Sequence, residues 1–441
     1  MFEEWVLDDP DALVRADASN VLLDLASAGA TVRTAVRLAG ESGLDRLRPE
    51  GRPRAVLVAG HGTAALAADL FAALAGAACP VLVLRPAGWE GDVQGDFTYG
   101  LDWALPGWAG PSDLVLVLSP TGMEPGLVAL VEQAYGRGSS VVTVAPAGTD
   151  LAEAALQARG LALPCPPTAE ARRHPRPDTD LPRETPSTLW GLLTPVLALA
   201  DRIGLIPVPP ASLQAAADQL DEMAVRCGPS AETYVNPAKS LAIQLDGVLP
   251  VLWSDGPLTA AVARRFAAML ADQAARPAVT GMLPEALHTQ RGLLTGGLAA
   301  ETGDDDFFRD RTEDTEALRL KLLMLRHIPR SEPVPDAGGT PPGGNGGSGD
   351  NGGNGGGSEG PGEASGGPLD EEPAASRRTL ARARRLADDH QVAFAELSTP
   401  HRDVVRAMAE LVALTDFAAV YLTLAASGAP DLAAGAAAPE G

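Results

Sequence analysis

Between residues 54 and 145 the chain repeats one pattern: a short unbroken run of Val, Leu and Ala, a helical stretch, then another such run. The runs fall at 54–60, 80–85, 113–119 and 140–145, with helical spacing notably at 63–77 and 124–136. A strand that is apolar throughout must be covered on both faces. Strands separated by helices pair in parallel, so the pattern predicts a doubly wound parallel sheet. The alternation resumes later, with strands predicted at 248–253, 318–325 and 392–397 and helices at 258–275, 376–390 and 402–426. Helical patterning at 10–50, 189–203 and 210–226 accounts for much of the rest. The fold class implied is α/β: two doubly wound parallel-sheet lobes joined by a helical bridge.

The corresponding segments are an N-terminal helical region (1–50), a first lobe (51–165), a bridge (166–240), a second lobe (241–330 and 375–432) and a tail (433–441). Residues 331–374 interrupt the second lobe with Gly, Pro, Asn, Ser and acid. Such a composition buries too little apolar surface to offset the entropy of ordering, which predicts a disordered loop. The flanking pieces LRLKLLMLR and SRRTLARARRLADDH read as a strand and its following helix, so the loop is an insertion. Closure entropy grows slowly with length, so the insertion costs the fold little.

Composition narrows the partners. A formal charge of −23 argues against a nucleic-acid backbone, which needs a basic face. Only Lys239 and Lys321 are lysines, so arginines and backbone amides must bind most anions. Cys79, Cys165 and Cys227 are too widely spaced for a disulfide framework or a zinc motif. The acidic start MFEEWVLDDPDAL lacks the basic region of a signal peptide, and apolar runs are broken by Gly, Pro or charge. A cytoplasmic protein with no membrane partner is the expectation.

In open α/β sheets ligands lie beyond the carboxyl ends of the strands. The first such loop is GHGTAALAAD, residues 60–69, where Gly60 and Gly62 permit a tight turn and the helix from Thr63 offers free N–H groups. A dinucleotide fingerprint fits Gly60, Gly62 and Ala65 loosely, but Arg85 and Pro86 stand where an acid would hold a ribose. A purely structural turn is the other alternative. The second loop, SPTGMEPG at 119–126, offers the hydroxyls of Ser119 and Thr121 and the amides near Gly122 to a phosphate. Glu124 places a carboxylate in the first helical turn, which favours the helix dipole and repels a phosphate. The basic run 377–385 reads as a solvated helix face, and no metal-ligand spacing appears.

A third region joins these loops into a resemblance. The chain carries Asn236, Pro237, Ala238, Lys239, Leu241, Ala242, Leu245, Gly247, Pro250 and Val251, then Pro284, Glu285 and His288, and closes with LTDFAAVYLTLAASGAPD. In this order the residues resemble the bifunctional phosphoglucose/phosphomannose isomerases of the sugar-isomerase (SIS) family, from about residue 40 to 432 without the Gly-rich insert. The family reads NPAKxLAxxLxGxxPV, a helix ending NENAK, and PxxxNxxPELNHNE.

The resemblance implies SIS-type lobes, a sugar phosphate ligand, a homodimer and no cofactor or metal. It implies an aldose–ketose isomerase acting on glucose 6-phosphate or mannose 6-phosphate through an enediol. Asp272 takes the place of the proton-shuttling carboxylate, and His288 that of the ring-opening histidine, which commonly comes from the neighbouring subunit. Gly62, Thr63, Ser119, Thr121 and Gly122 take the place of the phosphate loops.

This chain departs from the pattern at several points. Asp272 is one methylene shorter than the family Glu, the family serine of GGSG falls on Ala64, and SxSGNT ends at Glu124. Ser187 sits near the place of a bridge arginine, and the C-terminal lysine is gone. The alternative these losses leave open is a non-catalytic phosphosugar sensor or partner subunit, or a scaffold whose anion site Glu124 blocks. The isomerase reading requires Asp272 and His288 to face one cavity, within a chain or across a dimer.

Overall fold

A computed structural model describes residues 2–48, 51–89, 100–166, 185–295, 319–329 and 374–426. The Gly-rich insert and the tail fall outside the described residues. Strands β1 (Val56–Ala59), β2 (Val81–Leu84), β5 (Leu114–Leu118), β6 (Ser140–Ala145) and β7 (Leu161–Pro164) form one parallel sheet in the order β2-β1-β5-β6-β7. A two-stranded antiparallel ribbon, β3 (Gly88–Trp89) with β4 (Leu101–Asp102), lies between β2 and β5 in sequence. A second parallel sheet, ordered β11-β10-β8-β9, comprises β8 (Val248–Ser254), β9 (Val279–Met282), β10 (Arg319–His327) and β11 (Ala393–Thr399). Two doubly wound lobes are therefore present, as the alternation predicts.

Each strand run is apolar because each sheet is covered twice. On one face of the first sheet, Leu57, Val115 and Val117 pack with Leu127, Leu130 and Val131 of the helix Pro125–Gly136. On the outer face of the second, Val251, Leu322 and Met324 pack with Leu380, Ala383 and Ala387 of the helix Ala374–Asp389. The two inner faces share one continuous core. Helices Gly62–Ala75, Thr188–Arg202, Pro257–Ala274 and Val404–Ala426 run through it. Small side chains let these helices approach closely: Ala64, Ala67, Ala68, Ala263 and Ala418 are fully buried. Val404–Ala426 is long and apolar enough to cross a membrane, which corrects the reading that every apolar run is broken; most of it is buried inside this core.

The motif at 236–239 is structural in this chain. Asn236 caps the helix Pro237–Leu245 by accepting from the amides of Ala238 and Lys239, and Pro237 suits the first helical position. The Lys239 side chain turns into the core, where its ammonium donates to the carbonyls of Leu7, Pro229 and Ala231 at 2.5–2.8 Å. Burial pushes its pKa below the ordinary lysine value, and the Asp8 charge opposes that shift. Lys239 thereby ties the N-terminal segment to the entry of the second lobe.

Ion pairs tie the lobes together. Arg265, on Pro257–Ala274, reaches Asp416 on Val404–Ala426 with its Nε at 3.3 Å and its Nη2 at 3.1 Å, and both side chains are buried. The same guanidinium donates to Thr63 in the first lobe at 3.3 Å and to the Pro186 carbonyl in the bridge at 3.4 Å. Next to it, Arg264 reaches Asp69 of the first lobe at 3.3 Å, and Arg85 reaches the same carboxylate at 2.7 Å.

Removing one member of a buried pair strands the other charge and costs about 3–5 kcal/mol, whereas an apolar pair of similar volume is often neutral. Asp416→Ala should therefore destabilise the fold by about 3–5 kcal/mol in urea unfolding. The double variant Arg265→Met/Asp416→Leu should lose less than either single one. Additive losses would show that the two side chains do not act as a pair.

Candidate functional site

In the order β2-β1-β5-β6-β7 the chain leaves β1 toward β2 on one side and β5 toward β6 on the other, so the switch point lies between β1 and β5. Two loops meet there. The first, after β1, passes through Gly60 and His61 into the helix Gly62–Ala75, which His61 caps in extended conformation. A Cβ on Gly60 would lie 3.0 Å from the Leu118 carbonyl and 2.7 Å from the Ala64 side chain, so only glycine lets the loops come together. The second loop runs from Ser119 to Glu124. Gly122 turns it at φ +68°, and a Cβ there would strike Thr149.

The second loop folds around its own carboxylate. Ser119 Oγ accepts the amides of Gly122 at 2.6 Å and Thr121 at 3.1 Å, and donates to Glu124 Oε2 at 2.6 Å. Thr121 Oγ1 donates to Glu124 Oε1 at 2.8 Å. His61 Nε2 crosses the switch point to lie 3.2 Å from the same oxygen. Burial alone would raise the Glu124 pKa. The hydrogen bonds with His61, Ser119 and Thr121, aided by the imidazole charge, outweigh it and hold the carboxyl below its ordinary value. Ser119 and Glu124 are both buried. The loop that a phosphate would need already holds an anion.

A magnitude shows what this means for a ligand. Two like charges 4 Å apart repel by about 4 kcal/mol at an effective dielectric constant of about 20. A hydroxyl hydrogen bond to a charged group returns about 1.5–3 kcal/mol net, but Ser119 and Thr121 already make such bonds to Glu124, so exchanging one anion for another gains little. A phosphate entering beside an ionised Glu124 therefore loses more than Ser119 and Thr121 can supply, unless the carboxylate leaves.

Ser119, Thr121 and Gly122 meet, with Glu124 among them. Glu124 is the cap of the helix Pro125–Gly136 rather than part of its first turn, and its side chain makes no capping bond. The carboxylate turns back into the loop instead of serving the helix dipole. Gly62, at φ +52°, opens the first helix, and Thr63 is buried with its hydroxyl on Arg265. Asp272 is exposed on the last turn of Pro257–Ala274, where its buried neighbour Gln273 donates to it.

His288 is exposed on the short helix Ala286–Thr289. Asp272 precedes β9 and His288 follows it, so within one chain they sit beyond opposite ends of a strand roughly 13 Å long.

Reading the sequence missed His61, Arg265, Asp416 and Asp24. Asp24 accepts from the Ser187 amide at 2.8 Å and hydroxyl at 2.5 Å, near the place where the resemblance calls for an arginine. A histidine between two glycines after a predicted strand was the available signal for His61. The others depend on contacts between distant segments.

His61 and Glu124 supply one imidazole and one carboxylate, short of the three protein ligands of a catalytic zinc. Among the described residues no cluster of three or more potential ligands occurs. Burial pushes the Cys165 and Cys227 thiols up to about 12, which removes them as nucleophiles.

Comparison with known proteins agrees with this architecture. The family described as bacterial phospho-glucose isomerase C-terminal SIS domain matches residues 234–335. A hypothetical protein from Thermus thermophilus is similar in structure, at TM-score 0.54 and 14% identity, covering 94% of this chain and 88% of that one. Tagatose-6-phosphate ketose/aldose isomerase from Escherichia coli is similar at TM-score 0.50 and 12% identity, covering 93% of this chain and 92% of that one. Identities this low speak for the fold alone. No curated protein matches the chain by sequence.

The lowered pKa of Glu124 fixes a sign. A carboxyl depressed in the fold contributes stability that is present above its unfolded pKa and lost as pH falls through the folded one. Glu124→Gln should therefore be less stable than the parent at neutral pH, and the gap should close as the medium is acidified below the ordinary glutamate range. Thermal unfolding of both proteins across that range checks this. A gap that stays constant would mean that the carboxylate is not held ionised by His61, Ser119 and Thr121.

Proposed function

We propose, on the premise that the chain is an SIS-fold protein of the phosphoglucose isomerase-like family, that it binds phosphorylated sugars without turning them over. The observation that carries this reading is the Glu124 carboxylate seated on Ser119, Thr121 and His61. A sugar phosphate competes with an internal anion for the same hydroxyls and amides, so occupancy of the loop and displacement of Glu124 are one event. That suits a sensor, in the cytoplasm and as a homodimer, better than an enzyme.

Chemistry supports the same reading. An aldose–ketose isomerase needs a carboxylate at carbons 1 and 2 and a group that opens the ring. Asp272 is the shorter acid, and a misplacement of about 1 Å costs on the order of 100-fold in rate. Both phosphate loops have internal partners, Thr63 on Arg265 and Ser119 on Glu124. A turnover reading keeps one observation in its favour: the family match over 234–335 spans both Asp272 and His288. In that reading His288 reaches the site of a second subunit.

Calorimetry with glucose 6-phosphate, mannose 6-phosphate and fructose 6-phosphate tests the proposal. The parent should bind weakly, and Glu124→Ser should bind at least about tenfold more tightly, since removing the repulsion is worth more than the roughly 1.4 kcal/mol of a tenfold change. Neither should convert fructose 6-phosphate to an aldose. Equal affinity in both proteins, or aldose formation by the parent, overturns it.

A further inference from the structure

The second lobe has a switch point of its own. In the order β11-β10-β8-β9 it lies between β8 and β10, at Asp255 and at Arg326 and His327. The Asp255 carboxylate accepts the His327 amide at 3.2 Å and lies 3.7 Å from Arg326. Arg326 is buried and extends under the helix Ala374–Asp389 toward Glu396, which it meets at 2.9 Å. Arg384 of that helix pairs with the other oxygen of Glu396 and lies over the Phe394 ring at 5.4 Å. Two guanidiniums are thus pinned by one carboxylate.

Beside them opens a cleft of about 410 Å³. Arg377 and Arg385 enter it from the exposed surface of the helix, and Leu380 and Ala381 line it between them. Asp388 closes one end. No ion pair engages Arg377 or Arg385 among the described residues. Four arginines therefore line the cleft with Asp388, two of them paired with Glu396 and one of those also near Asp255, on a chain whose formal charge is −23. A local positive cleft on an acidic molecule concentrates anions. The volume falls in the range of small-molecule sites, roughly 300–1,000 Å³.

We propose that this cleft binds a small hydroxyl-bearing ester carrying two or more phosphate groups, at a site separate from the Glu124 loop. Guanidinium forks suit phosphate oxygens, and the pinned pair Arg326 and Arg384 offers them at little entropic cost. Asp388 accepts from a hydroxyl of the same ligand. Sugar bisphosphates and nucleotides share this chemistry.

Calorimetry on the full chain at about 0.15 M ionic strength, with fructose 1,6-bisphosphate, ATP and pyrophosphate as probes, tests the proposal. At least one of the two esters should bind more tightly than pyrophosphate, and which one does identifies the source. Arg377→Glu/Arg385→Glu should weaken that binding by about tenfold or more, because each reversal replaces an attraction with a repulsion. Arg378→Glu/Arg382→Glu, on the same exposed helix but outside the cleft, should change it by less than about threefold, the contribution of screened distant charge. Glu124→Ser should leave the contribution of Arg377 and Arg385 to that binding unaltered, whatever binding it adds in the first lobe. No binding of either ester overturns the proposal. So do equal losses in the two arginine pairs, or disappearance of the Arg377/Arg385 effect in Glu124→Ser, which would place the ligand in the first lobe.

Discussion

The buried pair of Arg265 and Asp416 is the contact on which the arrangement of the lobes depends. One guanidinium touches the closing helix, the first lobe through Thr63 and the bridge through the Pro186 carbonyl. Burial pushes the Asp416 carboxyl above its ordinary range, and the Asp24 charge adds to that, while Arg265 pulls it down. Such a cluster is a poor source of net stability, since desolvation offsets most of the attraction. What it supplies is register. An Ala-rich helix interface slides at little cost, and a charge that finds partners in only one position prevents sliding.

That register sets the state of the first-lobe site. Thr63 sits at the start of the helix that His61 caps, so the tie on Thr63 also fixes where His61 enters the switch point. His61 then meets Glu124 across it. Both loops that could seat a phosphate are therefore satisfied from within, one by a cation and one by an anion. The parallel-sheet scaffold keeps both switch-point loops while their polar groups are turned inward. A satisfied buried network is rigid, and leaving any member of it unpaired is costly.

Much of the fold was legible because doubly covered strands leave continuous apolar runs. β1, β2, β5, β6, β8, β10 and β11 all fall on predicted runs. β7 and β9 escaped notice because their short runs are broken, one by Pro164 and the other by Gly281, whereas the equally short edge strand β2 is an unbroken Val-Leu-Val-Leu run. The helix Asp150–Gln157 is only eight residues long. At the site, Ser119, Thr121 and Gly122 could be read from a strand followed by a turn and a helix. The repulsion from Glu124 could also be read. That its side chain folds back onto Ser119 could not, because the helix-dipole reading spends the carboxylate on the first turn, and the His61 contact that joins the Ser119 and Thr121 bonds comes from 63 residues away. Asp272 and His288 were paired by resemblance, and the topology sets them beyond opposite ends of β9.

The central claim is that an internal carboxylate holds the phosphate loop and the chain binds sugar without enediol chemistry. Its most direct test is proton exchange. Fructose 6-phosphate incubated with concentrated protein in deuterium oxide, and followed by proton NMR at carbon 1, reports abstraction of a proton even when no product is released. The account predicts no deuterium at carbon 1 beyond the protein-free control. Incorporation that depends on Asp272 would contradict it.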